Sequence, residues 1–305
     1  MVGEVRRACA HVARLARHVS IVHEAIAAYA ASLPLGAAAC DPVPEVNLPG
    51  ATRERRARFW LTLDAINFGS GWFPTLRKRE GRSGYFTIAL GLRERFAQRG
   101  PWTAQQLAQI DAAEVAAALH QDAAHELIEL FALSLRDLGT HVRDQFEGCF
   151  QRVVDGAGGS AVALAGQLAA WESFADTSTY GGSPVPFLKR AQIAGADLAR
   201  AGVATFGDLN RLTMFADNLV PHVLRLDGVL HFEPGLVERI EHGELIAHGS
   251  PEEVEIRACA LHAVELIAAQ RPDGCAAAVD YLLWTRGGQP RYKASPRHRS
   301  RCTAY

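Results

Sequence analysis

Three short stretches place polar side chains inside otherwise apolar runs: Asp64 and Asn67 in FWLTLDAINF, Lys189 and Arg190 in PFLKRAQIAGADL, and Asp217 and Asn218 in LTMFADNLVPHVL. A carboxylate among Leu, Met, Phe and Val is costly to bury unless it is paired or used in chemistry. Taken singly, each has an ordinary explanation: a helix cap or ion-pair partner for Asp217, a solvated lysine for Lys189. Glu253 with Arg257 is most simply an i,i+4 helix pair. The 12 histidines do not have metal-site spacing. His120 and His125 flank Asp122, whereas the helical zinc motif needs imidazoles about four residues apart with a Glu between them. His18, His23, His222 and His262 stand isolated. Phosphate-cradling GxxxxGKS or GxxxxGKT, GxGxxG and GxSxG turns are absent from the sequence, so nucleoside triphosphate and dinucleotide chemistry have no support. The reading is of a site without a metal or redox cofactor.

Helices must position these residues. Apolar residues recur at helical spacing from Val5 to Ala16 and from Val22 to Leu33, and the proline-rich stretch Asp41 to Pro49 reads as a linker. Thr52 is a candidate N-cap for a helix running toward Phe68, stopped by Gly69, Gly71 and Pro74. Thr103 with Gln106 and Asp111 with Glu114 are capping boxes. A longer amphipathic helix is expected over Ala123 to Leu138, with Leu127, Leu130, Phe131, Leu135 and Leu138 on one face. Breaks follow at Gly156 to Ser160 and at Thr177 to Pro186, the second being the best candidate for a flexible lip beside a site. Phe187 to Ala201 should be helical, Thr213 to Leu226 should hold one or two short helices, and Ser250, Pro251 and Glu253 announce a helix through Ala269. Ala276 to Trp284 makes a last helix. Weak strand candidates are Val19 to Val22, Val229 to Phe232 and the C-terminal tail. The fold class is mainly α, a helical globule with at most a small β-sheet. It is read as one domain over 1–305, with the break near 156–186 allowing two helical lobes.

Composition bounds the function. The chain has 305 residues with 49% hydrophobic and 21% charged side chains, and 32 basic against 33 acidic groups give a net charge of -1. That balance argues against a surface that tracks a long polyanion, while leaving room for a ligand with one phosphate. The six cysteines are scattered without a CxxC pair, which favours a reducing cytoplasm over a disulfide framework. No apolar run is long enough to span a membrane, and the Arg-rich start from Glu4 to Ala30 reads as a packed helix rather than a transit peptide.

The segments LDAINFGSGWFP (63–74), VPFLKRAQIAGADL (185–198), RLTMFADNLVPHVLRLDGVL (211–230), GSPEEVEIRACALHAVELI (249–267), DYLLW (280–284) and HRSRCTAY (298–305) together resemble the queuosine salvage protein family, the queuosine 5'-phosphate N-glycosidases. The resemblance runs from about residue 60 to the C-terminus. It implies a helical fold reminiscent of helix-hairpin-helix DNA glycosylases, with an Asp and a nearby Lys facing the sugar. Asp217 matches the family's catalytic aspartate in its LTxFAD motif. Lys189 matches the lysine of the FYKRAQ motif, in which Leu188 stands here for the usual Tyr. Asp64 and Asn67 match the DALNF segment and are candidates for reading the base edge. Phe187 and Asn218 flank the two catalytic candidates, and His18 in ARHVSI resembles a less specific N-terminal motif.

Chemistry gives reasons for these residue types. Cleaving a ribosyl C–N bond develops positive charge on the sugar, so a carboxylate near the anomeric carbon can stabilise the transition state, attack it or activate a water. The leaving 7-deazapurine lacks N7, so its departure needs assistance elsewhere on the base. Lys189 can help there, bind the phosphate, or keep Asp217 ionised. Phe68 and Trp284, like Trp60 and Trp72, can stack on a flat base or simply pack the core. His298, Arg299 and Arg301 suit a phosphate, or form a solvated tail. The expected activity is hydrolysis of queuosine 5'-monophosphate, with a small nucleotide rather than a nucleic-acid polymer or a membrane as partner. The rivals are a noncatalytic binder of a modified nucleotide or base, and a helix-hairpin-helix DNA-binding or repair protein.

Overall fold

The computed structural model describes residues 1–34, 45–272 and 274–305. Residues 41–44 of the expected 41–49 linker therefore lie outside the described residues, and 45–49 are turn and loop. Helices dominate. In chain order the main ones are α1 (Val2–Leu15), α2 (His23–Ser32), α3 (Arg53–Ala65), α4 (Gly84–Arg99), α5 (Ala104–Leu107), α6 (Ala112–Leu119), α7 (Glu126–Gln145), α8 (Phe150–Asp155), α9 (Ala161–Ala169), α10 (Lys189–Arg200), α11 (Leu219–Leu226), α12 (Pro234–Glu241), α13 (Pro251–Ala269), α14 (Ala276–Arg286) and α15 (Pro290–Lys293). The expected caps are in place. Thr52 accepts from the Arg55 amide, Ser250 from Glu253, and Thr103 with Gln106 forms the full reciprocal box. Asp111 caps α6 through the Glu114 amide, but the Glu114 carboxylate turns to the Trp102 indole instead of closing the box.

Two antiparallel pairs make up the sheet content among the described residues. The strand candidates at Val19–Ile21 (β1) and Leu230–Phe232 (β4) pair with Val19 opposite Phe232. The second pair, β2 (Thr177–Tyr180) with β3 (Ser183–Pro186), occupies the stretch expected to be a flexible lip. It is a hairpin turning at Gly181 and Gly182, both at positive φ, the backbone that two-residue hairpin turns require. It packs on α1 and α13, and none of its residues lines the main cavity. The tail forms no strand; Arg299 makes only an isolated bridge to Leu245.

The core runs without interruption from Val5 of α1 to Leu283 of α14. In it α10 packs on both α3 and α9, and α13 on α1 and α14. Buried polar groups hold these helices in register. Arg190 donates to the Ala65 carbonyl at 2.6 Å and to the Ser173 carbonyl, with its guanidinium 4.7 Å from the Phe68 ring centre. It thereby satisfies the C-terminal end of α3, where a cation is favoured. Gly71 allows the tail to approach, because a Cβ there would collide with the Ser300 carbonyl. Beside it the Gly69 amide donates to the main-chain oxygen of Tyr305 at 2.9 Å.

Candidate active site

A cavity of about 490 Å³ opens between α10, α14, the start of α4, the 67–73 turn and the segment before α11. Its walls follow from helical period. Lys189, Ile193, Asp197 and Arg200 are four, four and three residues apart, so they form one stripe of α10, and all four face the cavity. Asp280, Tyr281, Trp284 and Thr285 make the corresponding stripe of α14.

Of the stretch from Thr213 to Leu226, expected to hold one or two short helices, only Leu219–Leu226 is helical, as α11. Side chains from other elements take the amides that a helix would use. Thr213 N donates to Gln192 Oε1 at 3.0 Å and Phe215 N to Asp280 Oδ1 at 3.0 Å. Asp217 Oδ1 then accepts from the amides of Leu219 and Val220 at 2.8 and 3.1 Å. The carboxylate is thus fixed at the start of a helix, a favourable place for negative charge, while facing the cavity.

Lys189 is the first residue of α10 and is 5% exposed. Its Nζ donates to the Asn67 carbonyl at 2.7 Å. Burial lowers its pKa to about 8, with the nearby Asp217 carboxylate partly opposing the fall. Asp176 sets where the helix starts. Its carbonyl accepts from the Phe187 and Leu188 amides and its Oδ2 from the Lys189 amide, which holds Leu188 in the left-handed region at φ 55°. That conformation costs a branched side chain roughly 1 kcal/mol or more. Arg257 completes the frame by donating to both oxygens of Asp176, at 3.0 and 2.7 Å, and to the Ala216 carbonyl at 3.0 Å. One guanidinium therefore ties the residue before Asp217 to the acid that starts the Lys189 helix.

The other candidates divide. Asn67, Phe68, Asn218 and Trp284 line the same cavity as Asp217 and Lys189. Asn218 is fixed by donating to the His298 carbonyl at 3.0 Å, and Trp284 sits edge-on to Tyr85 at 5.6 Å. Asp64 is fully enclosed and does not face the cavity, whereas the neighbouring carboxyl of Asp197 does. The Asp64 pKa is raised well above the carboxylate range by burial and by Asp197, and Asp197 is itself raised by burial despite its 3.1 Å pair with Arg200. Phe187 is a core ring beneath the Arg257 guanidinium, at 3.9 Å. His18 lies away from the cavity, where its amide, with those of Arg17 and Val19, donates to Glu255 Oε2.

The tail differs most from expectation. Burial lowers the His298 pKa to about 3, Arg299 donates to the Gly243 carbonyl, and Arg301 pairs with Glu126. None of the three lines the cavity, whereas Arg297, Lys293 and Tyr305 do. A sequence signal existed for part of the missed set. Asp197 and Asp280 are acids inside the apolar segments already singled out, and Asp197 lies on the helical stripe of Lys189. Arg297 carried no such signal, since only the path of the tail decides which of its arginines turns inward.

The arrangement offers a fixed carboxylate, an adjacent buried lysine, aromatic walls and cations at one rim. It fits a small molecule with a flat ring and an anionic group. The family described as queuosine salvage protein matches residues 48–305. A Sphaerobacter thermophilus protein named queuosine 5'-phosphate N-glycosylase/hydrolase is 38% identical over 266 residues, covering 83% of this chain and 82% of that protein. A protein of the same name from Mus musculus is 30% identical over 335 residues, 98% of each chain, and one from Dictyostelium discoideum is 30% identical over 273 residues, 86% and 81%. With the family's match spanning most of the sequence, and the cavity assembled from the segments that carry it, the chain belongs to the queuosine salvage protein family.

Proposed function

We propose that this cavity hydrolyses the N-glycosidic bond of queuosine 5'-phosphate, releasing queuine and ribose 5-phosphate. The observation that carries the reading is the convergence of Asp217 and Lys189 on one cavity of nucleotide size. As the C–N bond lengthens, positive charge grows on the ribose, and a carboxylate held by two amides at a helix start meets that charge without reorganising. Lys189, buried beside it, favours the ionised carboxylate. The base lies against the wall formed by Tyr85, Phe86 and Trp284, with Asn67 and Asp197 offering polar groups to its edge. Arg297 and Lys293 replace the arginines of the tail as the phosphate ligands. The partner is a single nucleotide rather than a polymer, consistent with the balanced charge. The scattered cysteines favour a cytoplasmic setting, and among the described residues no helix is long and apolar enough to cross a membrane.

Incubation with queuosine 5'-monophosphate beside guanosine 5'-monophosphate, with products identified by mass spectrometry, tests this directly. Free queuine and ribose 5-phosphate are expected from the first, at a much higher rate than guanine from the second. Tight binding with the nucleotide returned intact would make the protein a binder and defeat the proposal.

A further inference from the structure

Three carboxyls face the cavity among the described residues, Asp197, Asp217 and Asp280, and each is held differently. Asp217 accepts two amides at a helix start, the setting of an anion. Asp197 is paired with Arg200 at 3.1 Å. Asp280 is 5% exposed, lies within α14, accepts a single backbone hydrogen bond from Phe215, and makes no ion pair among the described residues. Burial, and then the charge of Asp217, hold its pKa well above the carboxylate range; the Phe215 amide, Arg200 and Lys189 offset this only in part. A carboxyl so placed keeps its proton. Since the amide occupies Oδ1, Oδ2 is the oxygen left to carry the acidic hydrogen toward the cavity.

Two acids in one cavity, one held by two amides at a helix start and the other buried with a single amide, can serve as base and acid of a single site. The reaction has a use for the acid, because a 7-deazapurine has no N7 to accept a proton and its departing electron pair must be neutralised elsewhere. We propose that Asp280 is that acid, a second catalytic carboxyl acting with Asp217 on the hydrolysis proposed above. The C–N bond breaks with its electron pair leaving on the base, and the proton on Asp280 Oδ2 passes to a nitrogen of that base. The oxygen of a water bonds to the anomeric carbon, and one proton of that water passes to Asp217. Solvent entering on product release takes the proton from Asp217 and returns one to Asp280. The site is restored, and the net reaction is the addition of one water across the glycosidic bond.

The competing role for Asp280 is purely one of holding the Phe215 amide. Asp280→Asn separates the two, because an asparagine oxygen still accepts from Phe215 while the amide group cannot donate a proton. With queuosine 5'-monophosphate, Asp280→Asn is expected to lose roughly 10²- to 10⁴-fold in kcat, as Asp280→Ala does, with nucleotide affinity within about threefold of wild type as expected for an interaction made only in the transition state. Single-turnover rates and equilibrium binding read the two quantities. Where 4-nitrophenyl riboside 5-phosphate is turned over, its rate in Asp280→Asn should stay near wild type, because that leaving group needs no acid, and it reports that the variant is folded. An asparagine variant with wild-type kcat on the natural nucleotide, beside an impaired alanine variant, would reduce Asp280 to a prop for Phe215. Equal loss of kcat and affinity in both variants would overturn the proposal as well. If wild type itself releases no queuine, it is the hydrolase reading that fails, and that outcome is seen before either variant is made.

Discussion

Two buried polar clusters lie within one core and are built on opposite principles. Around Arg257, charges are matched: Asp176 at 2.7 Å, Glu253 at 3.7 Å, and His248 at 3.4 Å from Glu253. Hydrogen bonding to Cys302 and Glu253 raises His248 to about 10, and Glu253, pushed up by burial, is nevertheless held at about 2 by His248 and Arg257. On the inner wall of the cavity, desolvation outweighs pairing: Asp64, Asp197 and Asp280 all rise on burial, and burial lowers Lys189 to about 8. The first cluster keeps its ions and ties segments together. The second keeps protons and faces a space. The same desolvation acts on both, so the difference lies in whether the cations and amides beside a carboxyl together outweigh it: His248, Arg257 and the Gly249 amide do so for Glu253, and Arg200 alone does not for Asp197.

Removing the carboxyl that two amides hold at the start of α11 should do the most damage. Asp217→Asn is expected to reduce single-turnover hydrolysis by at least about 10³-fold while nucleotide binding changes only a few-fold; near-normal hydrolysis would undo the assignment. On the matched side the loss should appear as stability instead. Arg257→Met leaves buried Asp176 without its cation, Glu253 keeping His248, and should cost about 3–5 kcal/mol in urea unfolding, and Asp176→Leu added to it should recover part of that. A double variant no better than the single would mean that the Ala216 carbonyl, not the acid, is what Arg257 is needed for.

pH should separate the clusters by sign. Glu253 is depressed in the fold, so its contribution is present above its ordinary value of 4.5 and is lost as pH falls toward about 2, on the order of 3 kcal/mol. Asp280 is raised, so its contribution is full below 3.8 and declines as pH rises through its folded value. In unfolding curves from pH 3 to 8, Glu253→Gln should flatten the acid limb and Asp280→Asn the decline on the alkaline side. Parallel curves for both variants would erase the distinction. Smaller effects are expected at the rim. Arg297→Ala should weaken nucleotide binding by about 10- to 100-fold, as for loss of a charged hydrogen bond, and the nucleoside much less. Arg301→Ala, which removes an exposed pair with Glu126 and a 5.8 Å cation–ring contact with Trp72, should leave binding unchanged and cost no more than about 1 kcal/mol of stability.

Legibility followed locality. Caps such as Thr52, Thr103 and Ser250 act within three residues, and each formed its bond as expected. The 177–186 stretch read only as a break because its glycines and prolines mark a turn without saying that the flanking residues pair. Composition placed one or two short helices within 213–226 without saying where they start; Gln192 and Asp280, 21 and 65 residues away from the amides they take, keep 213–218 out of the helix. In the tail, Arg297, Arg299 and Arg301 alternate in a sequence that gives no preference among them.

The sequence by itself determined a mainly helical chain, the starts of several of its helices, and the polar residues that its apolar runs do not explain, among them Asp217 and Lys189. Those are consequences of period, capping and residue type, which act over a few positions. Only the tertiary structure decided that Asp197 rather than Asp64 meets the cavity, that Arg297 rather than Arg299 or Arg301 lines it, and which buried acids keep a proton. The physical reason is that desolvation and charge pairing depend on what lies across the core from a side chain, and that is set by packing between segments far apart in the chain.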